Sequence, residues 1–168
     1  GRKGGFYAPV SMDVPGYPYP PYPQSEQGKV DNPDRKYPFA SETITTGIRE
    51  ATLTGRPYPV KGWLVYATNL IHALPNERET IEAIQNLDLL VVVDVIGSEI
   101  AGWADVVLPE ATYLERYEDL NVEMFREPFV ALRQPVVEAP DDQKPNWWIA
   151  RELAVKLGLE AYYPWQTI

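Results

Sequence analysis

From Ser41 onward the apolar positions alternate between two periods. Ile44, Ile48 and Leu53 recur at helical spacing behind Ser41 or Thr43 as the cap, and Gly55 with Pro57 just beyond it stops the run. Residues 62–67, Gly-Trp-Leu-Val-Tyr-Ala, are apolar and rich in aromatic and β-branched side chains, which predicts a strand ending at Thr68-Asn69. Pro75-Asn76 then opens a helix with Ile81, Ile84 and Leu87 on one face and Glu77, Arg78, Glu79 and Glu82 on the other. Residues 88–94 are nearly continuously apolar, the signature of a strand buried on both faces of a parallel sheet. A short helix over residues 98–103 leads to a third strand at residues 104–108, closed by Pro109. Residues 129–134 predict another strand, and Pro145 starts a last amphipathic helix through Trp148, Leu153 and Leu157 to Gly158.

Strand, helix, strand, helix, strand with right-handed crossovers predicts a three-layer α/β fold. The expected architecture is a doubly wound, Rossmann-like, mostly parallel sheet whose ligand lies at the carboxyl ends of the strands. The first 40 residues read differently. They hold eight of the 17 prolines, including Tyr17-Pro18-Tyr19-Pro20-Pro21-Tyr22-Pro23, where fixed φ angles and missing N–H donors forbid helix and interior strand alike. The expected organisation is an extended Pro/Tyr-rich arm over residues 1–40, laid on a neighbouring surface by its tyrosine rings, and one α/β domain over residues 41–168.

Composition narrows the chemistry. With 168 residues the chain closes one core of ordinary size. Zero cysteines exclude a thiol nucleophile and a cysteine-held zinc or iron–sulfur site, and one histidine excludes a multi-histidine metal site. A net charge of −9 argues against nucleic acid or anionic lipid as a partner, because phosphate binding needs clustered Lys and Arg. The longest apolar run, residues 87–97, is interrupted by Asp88 and Asp94 and is too short to span a bilayer, so no direct membrane insertion is expected. The opening Gly1-Arg2-Lys3-Gly4-Gly5, without methionine or an apolar signal core, is read as either a processed start or a segment cut from something longer.

Strand ends carry the candidate chemistry. Asn69 either closes a turn on its own backbone or meets a ligand. Asp94, ending a run of three valines, is placed to accept hydrogen bonds from a ribose diol or a guanine edge. Ser98 caps the short helix, a role compatible with phosphate binding at free N–H groups. Asp105 either interrupts a strand or meets the ligand. Neither the Gly-x-Gly-x-x-Gly fingerprint nor a Walker loop follows any strand, which argues against an ordinary dinucleotide or nucleoside triphosphate site. His72 lies in the loop after the first strand, on the surface or against a ligand. Glu110, Glu115, Glu118 and Asp119 read as a solvated acidic face, and Trp147-Trp148 as core or an interface anchor.

Ala67-Thr68-Asn69, then Leu87-Asp88-Leu89-Leu90-Val91-Val92-Val93-Asp94, then Ala104-Asp105-Val106-Val107-Leu108-Pro109 with Tyr113-Leu114-Glu115 after it, form a combined string. It resembles the molybdopterin oxidoreductases of the dimethyl sulfoxide reductase family, with a "G-x-N-P" loop, "LDFLVVxD", a Thr or Ser four residues after the Asp, and "ADVVLPxxxxxE". The segments 128–138 and 144–148 look most like catalytic subunits of polysulfide and thiosulfate reductases, with respiratory arsenate reductases as near relatives. Two departures stand out: Ala67 replaces the usual Gly and Leu70 the usual Pro. A third is Glu118-Asp119-Leu120-Asn121, where "GTxTNxEGR" is common.

The resemblance implies an internal fragment of a longer catalytic subunit, a domain that grips one of two molybdopterin guanine dinucleotides around molybdenum or tungsten. It implies that Thr68 and Asn69 meet the pterin–pyrophosphate end, Asp94 the guanosine, Ser98 the phosphate or ribose, and Asp105 the guanine. No residue of the chain is implied as catalytic or metal-binding, and the isolated segment is expected to be inactive. A 4Fe-4S cluster elsewhere in the parent subunit, a ferredoxin-like iron–sulfur subunit, a membrane anchor subunit and a periplasmic location reached by twin-arginine export are implied too. The reaction implied is two-electron reduction of a sulfur compound, polysulfide or thiosulfate, in anaerobic respiration. The rival is a structural domain of the same fold that binds no pterin, as in the large iron–sulfur subunit of NADH dehydrogenases.

Overall fold

The computed structural model describes residues 3–5, 27–32, 35–40, 43–122, 129–140 and 142–163. The chain divides into two compact units, Pro23–Glu110 and a second made of Gly1–Tyr22 with Ala111–Ile168. Most of the expected arm lies outside the described residues.

The first unit is built on a sheet of three parallel strands, β1 (Gly62–Tyr66), β2 (Leu89–Asp94) and β3 (Val106–Pro109), in the order β1-β2-β3. Gly62 stands beside Leu89 and Tyr66 beside Val93, while Val91 stands beside Val106 and Asp94 beside Pro109. Helices α1 (Thr45–Thr54), α2 (Leu70–Ala73) and α3 (Glu77–Gln85) and a 3-10 turn at Ile100–Trp103 complete it. Because the order advances in one direction, right-handed crossovers carry α3 and the 3-10 turn over the same face. The core confirms this: Trp63, Val65, Leu90 and Val92 from the sheet pack with Ile71, Ala83, Ile84 and Ile100, flanked by Ile48 and Leu53.

Several sequence signals act as expected. The Gly55 N–H donates to the Ala51 carbonyl from a left-handed conformation and ends α1. Ile81 and Leu87 pack against the core beside buried Ile84, so the apolar stripe of α3 faces inward. Other local features depend on distant residues. Ser41 lies outside the described residues and Thr43 does not cap α1; its N-cap is Ile44, whose N–H donates to the carboxylate of buried Asp31 at 2.8 Å. That approach is close because residue 47 is glycine: a Cβ there would overlap the Asp31 carbonyl. Buried Arg49 ties α1 to α3 through Thr80 Oγ1 at 3.1 Å, Glu79 at 2.9 Å and the Pro75 carbonyl. The Trp63 indole N–H donates to Thr52 Oγ1 at 3.1 Å, fixing β1 against α1.

Burial on both faces of the sheet holds only in part. Val93 is buried, but on the same face Leu64 is 60% exposed and Leu89 46%. Among the described residues, the helices cover only the opposite face.

In the second unit, β4 (Leu120–Asn121) pairs antiparallel with β5 (Ala131–Leu132), a shorter strand than residues 129–134 predict. Helix α4 (Asn146–Lys156) starts after Pro145, and Gly158 follows it with φ +70, as the sequence signals require. Its Ile149 is buried, Trp147 is half-buried and Trp148 is 37% exposed.

Candidate functional site

Parallel strands bring the ends of β1 and β2 together. The Ala67 N–H donates to the Val93 carbonyl at 3.0 Å, one step past the last residue of β1, and the chain then turns away. Ala67 makes that turn with φ +51, in the left-handed region that favours glycine. A glycine at this place, as in the family pattern, is therefore a backbone requirement, and Ala67 meets it under strain. Half-buried Thr68 and Asn69 follow and lead into α2.

Asn69 does not close the turn with its side chain, which makes no capping bond. Its carbonyl accepts the N–H groups of His72 at 3.1 Å and Ala73 at 2.8 Å, so its backbone makes the turn. Its side-chain Nδ2 donates to Glu99 Oε2 at 2.6 Å, while Oδ1 is buried with no hydrogen-bond partner. Glu99 also lies 3.6 Å from His72 Nε2. Two side chains therefore converge on one carboxylate. Glu99's carboxyl is held below its usual value, first by its own backbone N–H, with burial opposing and His72 and Asn69 adding smaller contributions in the same downward direction.

Asp94 stands at the end of β2, where its Oδ1 accepts the N–H of Val95 at 2.7 Å and of Ile96 at 3.4 Å. Its Oδ2 accepts the Ser98 hydroxyl at 3.1 Å. The pair closes the loop between β2 and the 3-10 turn. Ser98 does not cap that turn with its side chain: the N-cap is Glu99, and only the Ser98 carbonyl takes part, accepting Ala101 N–H at 3.0 Å.

Asp105 lies elsewhere. Its Oδ2 accepts the Leu90 N–H at 2.7 Å and its own N–H donates to the Leu90 carbonyl at 2.9 Å, just before β3 begins. Leu90 is the second residue of β2, four positions ahead of Asp94, so the two carboxylates are about 13 Å apart along the strand at ~3.3 Å per residue. The expectation that Asp105 joins Asn69 and Asp94 at one set of carboxyl tips is corrected: it splices the amino ends of β2 and β3.

The acidic group after β3 is a solvated face only at exposed Asp119. Glu110 is 2% exposed; its N–H donates to the Asp94 carbonyl at 3.0 Å and its carboxylate accepts the Tyr66 hydroxyl at 3.1 Å. In the second unit, Glu115 accepts the N–H and hydroxyl of Thr112 at 2.7 and 2.8 Å, and Glu118 pairs with Arg116 at 2.8 Å. Sequence reasoning missed Glu99, Glu110 and Tyr66 as members of the carboxyl edge. Tyr66 carried a signal, being the last residue of the first strand; nothing local marked the other two.

The edge thus collects Thr68, Asn69, His72, Asp94, Ser98 and Glu99 where a βα sheet binds ligands. Comparison with known proteins agrees in kind. The family model described as molybdopterin oxidoreductase matches residues 36–156. The chain belongs to that family.

The molybdopterin-containing subunit of thiosulfate reductase from Salmonella typhimurium is 38% identical over 148 residues, covering 88% of this chain and 20% of that protein. Acetylene hydratase from Syntrophotalea acetylenica is 36% identical over 122 residues, covering 72% of this chain and 16% of that protein. A solved structure of acetylene hydratase from Pelobacter acetylenicus superposes with a TM-score of 0.64 at 35% identity, over 72% of this chain and 16% of that one. The chain thus spans about a fifth or less of the relatives it matches.

The family implies a molybdopterin cofactor. The carboxyl edge fits such a group at one observed point: Asn69 Oδ1 is a buried acceptor without a partner, open to a donor of the group, while Asn69 Nδ2 and the Ser98 hydroxyl donate to Glu99 and Asp94. Within the matched relatives, one name is that of a reductase and another that of a hydratase. Relatives that match over this segment thus carry the names of different reactions.

Proposed function

We propose that this chain is the domain of a molybdenum-dependent (or tungsten-dependent) reductase that holds one molybdopterin guanine dinucleotide for the two-electron reduction of a sulfur compound, thiosulfate or polysulfide. The observation that carries the reading is the carboxyl edge: the joined ends of β1 and β2 with Asn69 Oδ1 buried and unpartnered. The 38% identity to a thiosulfate reductase subunit supports the substrate class.

When bound, the metal-bearing group supplies the electron pair that cleaves a sulfur–sulfur bond, as in S2O3(2−) + 2e− + H+ → SO3(2−) + HS−. The chain's own residues bind and orient. Thr68 and Asn69 donate to the pyrophosphate end. Asp94 and Ser98 keep the loop after β2 closed beside it and offer their remaining lone pairs to the guanosine. This reading leaves Asp105 out of the binding set, since its carboxylate accepts the Leu90 N–H at the opposite end of the sheet. In this reading the chain works with the rest of a catalytic subunit that carries a 4Fe-4S cluster, with a ferredoxin-like subunit and with a membrane anchor, on the periplasmic side of the membrane.

A second reading has a specific observation in its favour. Asp94 and Asp105 both have local structural partners, which a relative of this fold that binds no pterin would retain. Acid denaturation of the whole protein separates the two. Release of guanine nucleotide with molybdenum or tungsten, and thiosulfate- or polysulfide-dependent oxidation of a reduced viologen dye, are expected. A protein with its iron–sulfur clusters in place but neither nucleotide nor metal is the structural relative, and the proposal is then wrong.

A further inference from the structure

Tyr66 and Glu110 meet across a strand that separates them. In the order β1-β2-β3, the last residue of β1 and the residue following β3 stand on either side of β2, roughly 10 Å apart at two strand spacings. The Tyr66 hydroxyl nevertheless donates to the Glu110 carboxylate at 3.1 Å. Between the two stands Val93, beside Tyr66 on one side and Leu108 on the other. It is 4% exposed on a face where Leu64 is 60% exposed, which fits a phenol ring laid across it. The strand ladder does not need this bond. The Ala67 N–H to the Val93 carbonyl and the Glu110 N–H to the Asp94 carbonyl, both at 3.0 Å, already join the three ends through the backbone. Glu110 is buried all the same, and burying a carboxyl group is costly, whereas a half-exposed tyrosine requires no protein partner. The costly group sits where two loops leave the sheet, one through Ala67 to Asn69 and the other from Asp94 to Ser98.

We propose that Tyr66 and Glu110 are positioning residues: a strap that fixes the spacing of the outer strand ends, and with it the placement of the Asn69 and Asp94 loops for the nucleotide end of the cofactor. This rests on the carboxyl edge being the cofactor site, and neither residue is assigned a contact with the ligand. Strands in a sheet are rotated against one another, and backbone bonds join only neighbours. Loops carried by different strands therefore drift apart at the sheet's end unless a side chain spans them. The Tyr66–Glu110 bond spans all three strands at the level where the loops begin. Without it the arrangement competent to bind is populated for a smaller fraction of the time, and affinity falls by that fraction.

The test uses the whole protein prepared without its cofactor and titrated calorimetrically with GDP, the free counterpart of the cofactor's nucleotide end. Tyr66→Phe keeps the ring over Val93 and loses only the hydroxyl; it is expected to weaken GDP binding about fivefold, the worth of one hydrogen bond. Glu110→Gln still accepts from Tyr66 and is expected to bind GDP like the wild type, whereas Glu110→Ala is expected to bind at least as weakly as Tyr66→Phe. In the Glu110→Ala background Tyr66→Phe is expected to add nothing, because the bond it breaks is already gone. Unchanged GDP affinity in Tyr66→Phe, whatever its stability in chemical denaturation, makes the strap structural only and overturns the inference while leaving the cofactor site in place. So does a Glu110→Gln protein that binds GDP as weakly as Glu110→Ala. Failure of both Asp94→Ala and Ser98→Ala to weaken GDP overturns the cofactor reading on which the inference rests, and no GDP binding by the wild type overturns both.

Discussion

At the amino end of the sheet, Asp105 clamps the Leu90 backbone and Lys61 pairs with Asp88 at 2.9 Å, so the acidic groups join one strand to the next. At the carboxyl end, Asp94 closes a loop, Glu99 is shared by Asn69 and His72, and a buried amide oxygen stays unpartnered. The same residue type is used for construction at one end and for a poised polar edge at the other. The asymmetry follows from the parallel sheet: strands enter from crossovers that need anchoring and leave into loops that must reach a ligand. Acidic side chains near strand ends therefore cannot be read for function without knowing which end they occupy.

The largest expected effect breaks the construction end. Asp105→Ala removes a charge-assisted acceptor from the N–H of Leu90, a residue 1% exposed, and is expected to cost about 2 kcal/mol in chemical denaturation. GDP binding by the fraction still folded is expected to be unchanged. Asp94→Ala should do the reverse: a smaller stability loss, about 1 kcal/mol for bonds to an exposed loop, and a clear loss of GDP affinity. Equal effects of both substitutions on GDP affinity would abolish the distinction between the two ends.

A smaller change of opposite sign sharpens the carboxyl end. Ala67→Gly relieves a left-handed φ of +51 and is expected to stabilise by about 0.5–1 kcal/mol after the entropy cost of glycine is deducted. A loss of stability on thermal melting would mean that the Ala67 side chain makes contacts worth more than the strain.

Much of this was legible because the determinants are local. Gly55, the stripe of α3, the valine run of β2 and Pro145 each act within a few residues of themselves, and the elements form where they indicate. The end of the sheet that Asp105 occupies was misread although its signal is local: it precedes its apolar run, whereas Asp94 follows its own, and in parallel strands those are opposite ends. What the pattern could not supply were partners distant in sequence. Asp31 replaces the expected cap of α1 from 13 residues away, Tyr66 reaches Glu110 across 44, and Asn69 reaches Glu99 across 30. The left-handed turn at Ala67 was legible only through the glycine that the family pattern carries there.

The smallest effects should appear at opposite ends of the pH scale. Glu99 has its folded value lowered from 4.5, first by its own backbone N–H, against burial, with His72 and Asn69 adding smaller contributions. The folded state therefore binds that proton less readily than the unfolded chain, so the contribution is complete above 4.5 and is lost as pH falls through the lowered value. Lys61 has its value raised from 10.5, first by the hydrogen bond to Asp88 and then by its charge. The folded state holds that proton more tightly, so its contribution is complete below 10.5 and is lost as pH rises through the raised value. Both groups are exposed, and each effect is expected to be only a slight slope in stability against pH. Glu99→Gln should flatten the acid limb alone and Lys61→Met the alkaline limb alone. A substitution that altered the other end's limb would show that the two edges are coupled through the sheet, and the separation of construction from binding would no longer hold.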